Sequence, residues 1–126
     1  MSKKIISTDK APAAIGPYSQ AVEAGGFIFA SGQIPIDPAT GNIPEGIEEQ
    51  ALQALTNVKN LVESTGLTLD DVVKTSVFIK NMDDFAKVNE IYAQFFTGDH
   101  PARSCVEVSR LPKDVLIEVE VIAARG

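Results

Sequence analysis

Between Gly46 and Thr65 the apolar residues Ile47, Ala51, Ala54, Leu55, Val58, Leu61 and Val62 recur at spacings of three and four. An extended chain cannot gather that set on one side, whereas an α-helix does, so the stretch is an amphipathic helix with one face to bury. Glu48 and Glu49 fall in its first turn, where the helix dipole favours negative charge, and Gly66 stands where a left-handed residue would end it. The next apolar stretch, Val72-Val-Lys-Thr-Ser-Val-Phe-Ile79, is a β-branched run and reads as a strand. A helix with a single apolar stripe next to such a strand calls for a helix laid on a sheet.

The remaining elements fit that frame. Phe27-Ile-Phe-Ala30, bracketed by Gly25-Gly26 and Ser31-Gly32, reads as a short buried strand, and Ser19 to Glu23 is expected to pair with it. From Ile34 to Pro44 the prolines Pro35, Pro38 and Pro44 and the turn signature Asp37-Pro-Ala-Thr-Gly41 predict an exposed loop. A second helix is expected from Asp83 or Asp84, with Phe85, Val88, Ile91, Tyr92, Phe95 and Phe96 as its apolar stripe and Gly98 as its stop. Arg103 to Ser109 and Val115 to Ile122 alternate as strands do, with a turn at Leu111-Pro-Lys-Asp114. The order strand, strand, helix, strand, helix, strand, strand predicts an α+β domain with a mixed sheet.

At 126 residues and 13.5 kDa the chain fits one domain, residues 1–126. Its helices, each about 10 Å wide, can cover only one face of a sheet whose strands lie about 4.8 Å apart. Yet Phe27 to Ala30 and Val77 to Ile79 are apolar at consecutive positions, which puts apolar groups on both sheet faces. A second copy of the chain is the expected cover for the open face.

Charge and cysteine content narrow the function. A net charge of −6 gives little to hold a polyanion, so neither nucleic acid nor an anionic membrane is an expected partner. One cysteine, Cys105, closes no intrachain disulfide, and with one histidine, His100, it assembles no Cys/His metal cluster. Lys3 and Lys4 lead into no apolar run or cleavage site of a secretory signal, so a cytoplasmic protein is expected.

Several side chains could carry chemistry. On a strand, Arg103, Cys105 and Glu107 share one face and Ser104, Val106 and Val108 the other. Arg103 could grip a carboxylate or phosphate with its guanidinium fork, or pair with a surface acid. Cys105 reads as a thiolate nucleophile or as a small buried hydrophobe, and the second fits better because His100 lies in a loop, poorly placed to serve it as a base. Glu118 and Glu120 also share one strand face, where they suit acid–base work or form an acidic solvent face. Tyr18 follows a Gly-Pro turn and either projects a phenol into a cleft or packs in the core. Ser31-Gly32 resembles a carboxylate or phosphate nest, although no GxGxxG or Walker pattern accompanies it.

Four segments, Ala14-Ile-Gly-Pro-Tyr-Ser-Gln20, Ser31-Gly-Gln-Ile-Pro35, Val72-Val-Lys-Thr-Ser-Val-Phe78 and Pro101-Ala-Arg-Ser-Cys-Val-Glu-Val108, occur in this order over nearly the whole chain. Together they resemble the Rid family of reactive intermediate deaminases, and within it the RidA group of 2-iminobutanoate/2-iminopropanoate deaminases. The resemblance implies a chorismate-mutase-like α+β subunit, two helices on one face of a mixed sheet, assembled as a homotrimer with sites between subunits. It implies hydrolysis of the 2-imino acids that PLP-dependent Ser/Thr dehydratases release, without metal or cofactor. It further implies that Arg103 binds the substrate carboxylate, Glu118 activates or positions water, and Tyr18 borders the site, with Cys105, Ser31, Gly32 and Asn89 as further contacts to the substrate. The competing readings are a trimer that binds small carboxylic acids without catalysis and a ribonuclease or translation inhibitor. A carboxylate beside an anionic ligand favours catalysis over the first, and the acidic charge balance argues against the second.

Overall fold

Two adjacent glycines, Gly25 and Gly26, take positive φ of 61° and 83°, the combination that a tight hairpin needs between right-twisted strands. They join β2 (Ala21–Ala24) to β3 (Phe27–Ala30), as expected. The computed structural model describes residues 2–126. Its other elements are β1 (Lys4–Ile6), α1 (Ile47–Glu63), β4 (Val72–Ile79), α2 (Phe85–Phe95), β5 (Ala102–Glu107) and β6 (Ile117–Ala124). They form one 6-stranded sheet in the order β1-β2-β3-β6-β4-β5. Every pairing is antiparallel except β4 with β5, which run parallel. The parallel pair requires a crossover connection, and α2 supplies it. The fold is α+β with a mixed sheet and two helices.

The core lies between the helices and one sheet face. Ala51, Ala54, Leu55, Val58, Leu61 and Val62 of α1 and Val88 of α2 meet Ile28, Val77, Ile79, Ile117, Val119 and Val121, all 2% exposed or less. On β6 every second residue is buried from Ile117 to Ala123, so Glu118, Glu120 and Ile122 face the other way. That opposite face is apolar and uncovered in the single chain. Ile5, Phe29 and Val106 lie on it at 54%, 43% and 45% exposure, next to Phe27 at 43%.

Three sequence expectations need adjustment. The short β1 pairs antiparallel with β2 but was not anticipated, because Lys4-Ile-Ile6 offers too few residues for a periodicity. The loop from Ile34 to Pro44 is not exposed throughout. Pro35 is buried, and the buried Asn57 of α1 donates to the carbonyls of Ile34 (3.1 Å) and Ile36 (2.9 Å), pinning its first half to the helix. α2 ends before Gly98, which does not take positive φ; Phe96, 4% exposed, leaves helical geometry as its ring turns into the core. The Leu111–Asp114 turn is present, and both Lys113 and Asp114 adopt positive φ, of 56° and 57°. Gly66 ends the first helical segment at φ 88°, as its position predicted. No described helix is long and apolar enough to cross a membrane.

Candidate functional site

Two groups of the candidate residues come together, on opposite faces of the sheet. The first is built on Glu118. Because Glu118 points away from the helices, its carboxyl enters a cleft of about 520 Å³ whose lining includes Tyr18, Ser31, Gly32, Pro112, Lys113 and Glu118. Burial, reinforced by the neighbouring negative charge of Glu120, raises the pKa of Glu118 above the ordinary carboxylate value. A carboxyl shifted in this direction is a stronger base when ionised.

The chain makes room for that carboxyl at Gly32. A Cβ at this position would lie 1.9 Å from Glu118 Oε2 and 2.8 Å from its Cδ, closer than any real contact, so the carboxyl occupies the space a side chain would fill. Gly32 does not take positive φ, and the nest expected at Ser31-Gly32 is therefore replaced by a different role, that of a gap. Ser31 is drawn inward: its hydroxyl donates to the Ser19 carbonyl at 2.6 Å, which ties β3 to the segment carrying Tyr18. Tyr18 is 54% exposed at the cleft, so its phenol is not a core group.

The second group is built on Arg103 of β5. Its guanidinium lies over the Tyr92 ring at 4.8 Å and the Phe85 ring at 5.5 Å, and Nη1 donates to Asn89 Oδ1 at 2.7 Å. Phe85, Asn89 and Tyr92 are spaced four and three apart, so α2 presents all three on one face. The Tyr92 hydroxyl in turn meets the buried Thr75 hydroxyl at 2.8 Å, which fixes the ring under the cation. Aromatic faces attract a guanidinium without neutralising it, leaving the outer edge of the fork for a ligand. Cys105 follows on the same strand face, half-buried, its thiol pKa raised by burial and only partly offset by Arg103. That shift works against a thiolate nucleophile, in line with the reading of Cys105 as a packed side chain.

Register separates the two groups. Arg103 pairs with Thr75 and Cys105 with Val77, both on the helix side, whereas Glu118 pairs with Phe78 and Glu120 with Ser76 on the open side. Within one chain Arg103, Asn89 and Cys105 thus lie on the helix side, and Tyr18, Ser31, Gly32 and Glu118 gather at the other cleft. His100 is exposed in the loop before β5. Tyr92 and Phe85 belong to the apolar stripe of α2, and their spacing around Asn89 is the signal that they also face Arg103. Lys113 and Pro112 carried no signal beyond their turn.

Comparison with known proteins places this architecture among close relatives. The family model described as Endoribonuclease L-PSP matches residues 8–125. A 2-iminobutanoate/2-iminopropanoate deaminase of Escherichia coli strain K12 is 57% identical over 125 residues, covering 97% of this chain and 98% of the relative. A RutC family protein of Pyrococcus horikoshii is 57% identical over 122 residues, covering 96% of this chain and 97% of the relative. Among solved structures, E. coli TdcF with bound serine superposes with a TM-score of 0.95 at 52% identity, covering 98% of this chain and 99% of that one.

Proposed function

This chain belongs to the Endoribonuclease L-PSP family, the Rid family that its motifs resemble, and on that premise we propose that it hydrolyses reactive 2-imino acids to 2-oxo acids and ammonia. The observation that carries the reading is the state of Glu118: a half-buried carboxyl of raised pKa, seated over Gly32 in a cleft that Tyr18 borders. Its relatives at 57% identity named 2-iminobutanoate/2-iminopropanoate deaminase support the same chemistry.

Imine hydrolysis needs an anchor for the substrate carboxylate, a positioned water and a carrier for protons. Arg103, braced by Asn89 and the Tyr92 ring, is the anchor, with Cys105 packed beside the ligand. Ionised Glu118 takes a proton from water as the oxygen adds to the imine carbon. That proton passes to the imine nitrogen to give a carbinolamine; its hydroxyl proton then moves through Glu118 to the same nitrogen as the C–N bond breaks, so that ammonia departs and the C=O bond forms. No metal or cofactor enters these steps.

Arg103 and Glu118 lie on opposite sheet faces, so a site that uses both takes Arg103 from one copy and Glu118 from the next. The uncovered apolar face around Phe29 and Val106 is the natural seat for that neighbour, and the assembly proposed is a cytoplasmic homotrimer with sites between subunits. The net charge of −6 supports a small-molecule substrate over nucleic acid or membrane.

The test generates 2-iminobutanoate with a threonine dehydratase and traps what remains with semicarbazide, comparing wild type, Arg103→Ala and no protein. Loss of trapped imine with wild type alone is the expected result. Equal trapping in all three would replace catalysis with carboxylate binding.

A further inference from the structure

The strained turn between β5 and β6 has no part in the chemistry above, yet it reaches the Glu118 cleft. Lys113 and Asp114 are consecutive non-glycine residues with positive φ, a conformation that L side chains adopt at a steric cost. The turn is held on both sides. Leu111 and Val115 are buried at 7% and 2% exposure, the Asp114 amide donates to the Leu111 carbonyl at 3.0 Å, and Arg110 grips the Asp114 carboxylate through two hydrogen bonds of 2.7 and 3.2 Å. So fixed, the backbone delivers Lys113 to the cleft wall next to Pro112.

Of the residues lining this cleft, Lys113 and Glu118 are the charged ones. The Lys113 ammonium makes no hydrogen bond or ion pair among the described residues, and Lys113 is not among the charges that shift Glu118. Its charge is therefore left for a ligand. A small carboxylic acid approaching this protein meets a net charge of −6 and, inside the cleft, a carboxyl of the same sign. A cation at the rim offsets that repulsion during approach and binding.

We propose that Lys113, presented by its left-handed turn, is a second ligand-facing cation of the site, drawing the carboxylate of a 2-imino or 2-oxo acid to the Glu118 cleft. The proposal deepens the imine-hydrolase reading and rests on it for the identity of the ligand.

The experiment titrates 2-oxobutanoate, the product-class probe, into wild type, Lys113→Asn and Lys113→Arg, followed by NMR at low and high salt. Asparagine tolerates left-handed backbone, so Lys113→Asn removes the charge and keeps the turn. Binding is expected to weaken about threefold to fivefold in Lys113→Asn at low salt, with the difference closing at high salt, and to stay near wild type in Lys113→Arg. Equal binding by wild type and Lys113→Asn overturns the proposal, as does a loss of the same size at every salt concentration, which would mark a backbone effect. No binding by wild type overturns it too. Imine hydrolysis by wild type is scored separately: hydrolysis with salt-independent Lys113→Asn binding sinks this inference alone. Lys113-dependent binding without hydrolysis sinks only the catalytic reading.

Discussion

If Arg103 and Glu118 act in the same site from different copies, two inactive variants should restore each other. Arg103→Ala keeps Glu118, and Glu118→Gln keeps Arg103; each alone is expected to fall by about 10²-fold, the usual contribution of a positioned acid–base group or charge-assisted anchor. The two are co-expressed with different affinity tags and purified through both, so that every assembly contains both variants. In a ring of three that holds both, one interface joins an intact Arg103 to an intact Glu118, so about one-third of wild-type activity should return. An unselected equal mixture, with half the copies intact at each position, should recover about one-quarter. The semicarbazide assay reads both values directly. If the site instead lay within one chain, no chain in either mixture would carry both groups and activity would stay at the level of the single variants. That outcome, in assemblies shown to contain both tags, would refute the argument from register.

Three further outcomes follow from the geometry. Gly32→Ala places a methyl 1.9 Å from Glu118 Oε2 and so displaces the carboxyl, which is expected to lower kcat on the order of 10²-fold. The displaced group is the end of a flexible side chain, so Tm should stay within about 3 °C by calorimetry. The raised pKa of Glu118 places the acid limb of the pH–rate profile above the ordinary carboxylate value of 4.5, with activity rising as Glu118 ionises. The same shift means that wild type loses stability as pH climbs from that value through the folded-state pKa; Glu118→Gln lacks this loss, so denaturant melts should find the variant at least as stable at pH 7, with the gap closing near pH 4. Asn57→Leu leaves the Ile34 and Ile36 carbonyls without their donor and should cost about 2–3 kcal/mol in urea unfolding. Because those residues wall the cleft, it should also raise KM for the imine.

Much of this is legible in the amino-acid sequence. The spacing of Ile47 to Val62 and the β-branched run at Val72–Ile79 identify α1 and β4 because each contains enough residues to define a period. The alternation at Val115–Ile122 predicts that Glu118 and Glu120 share a face, and so they do. What the sequence could not carry were relations between distant segments. The apposition of Gly32 and Glu118 depends on the bridge between Gln33 and Val119, a long-range pairing with no local signature. The separation of Arg103 from Glu118 depends on strand order and register, neither of which is a property of β5 or β6 alone. The buried start of the Ile34–Pro44 loop depends on the Asn57 amide, which in a helix pattern looks like any polar residue. Tyr92 hides in a core stripe because one ring edge serves the core while its face serves Arg103.

The alternation of β6 has a consequence for how this protein tolerates change. Ile117, Val119, Val121 and Ala123 are written into the core, while Glu118, Glu120 and Ile122 are written into the opposite face. Two messages are thus interleaved in one short word, read at odd and even letters. Substitutions at the odd letters act on the core and so on stability; those at the even letters act on the open face that carries the Glu118 carboxyl. A deletion of one letter exchanges the messages, sending carboxylates into the core and apolar groups to the cleft, so β6 is open to spelling changes and closed to frame changes.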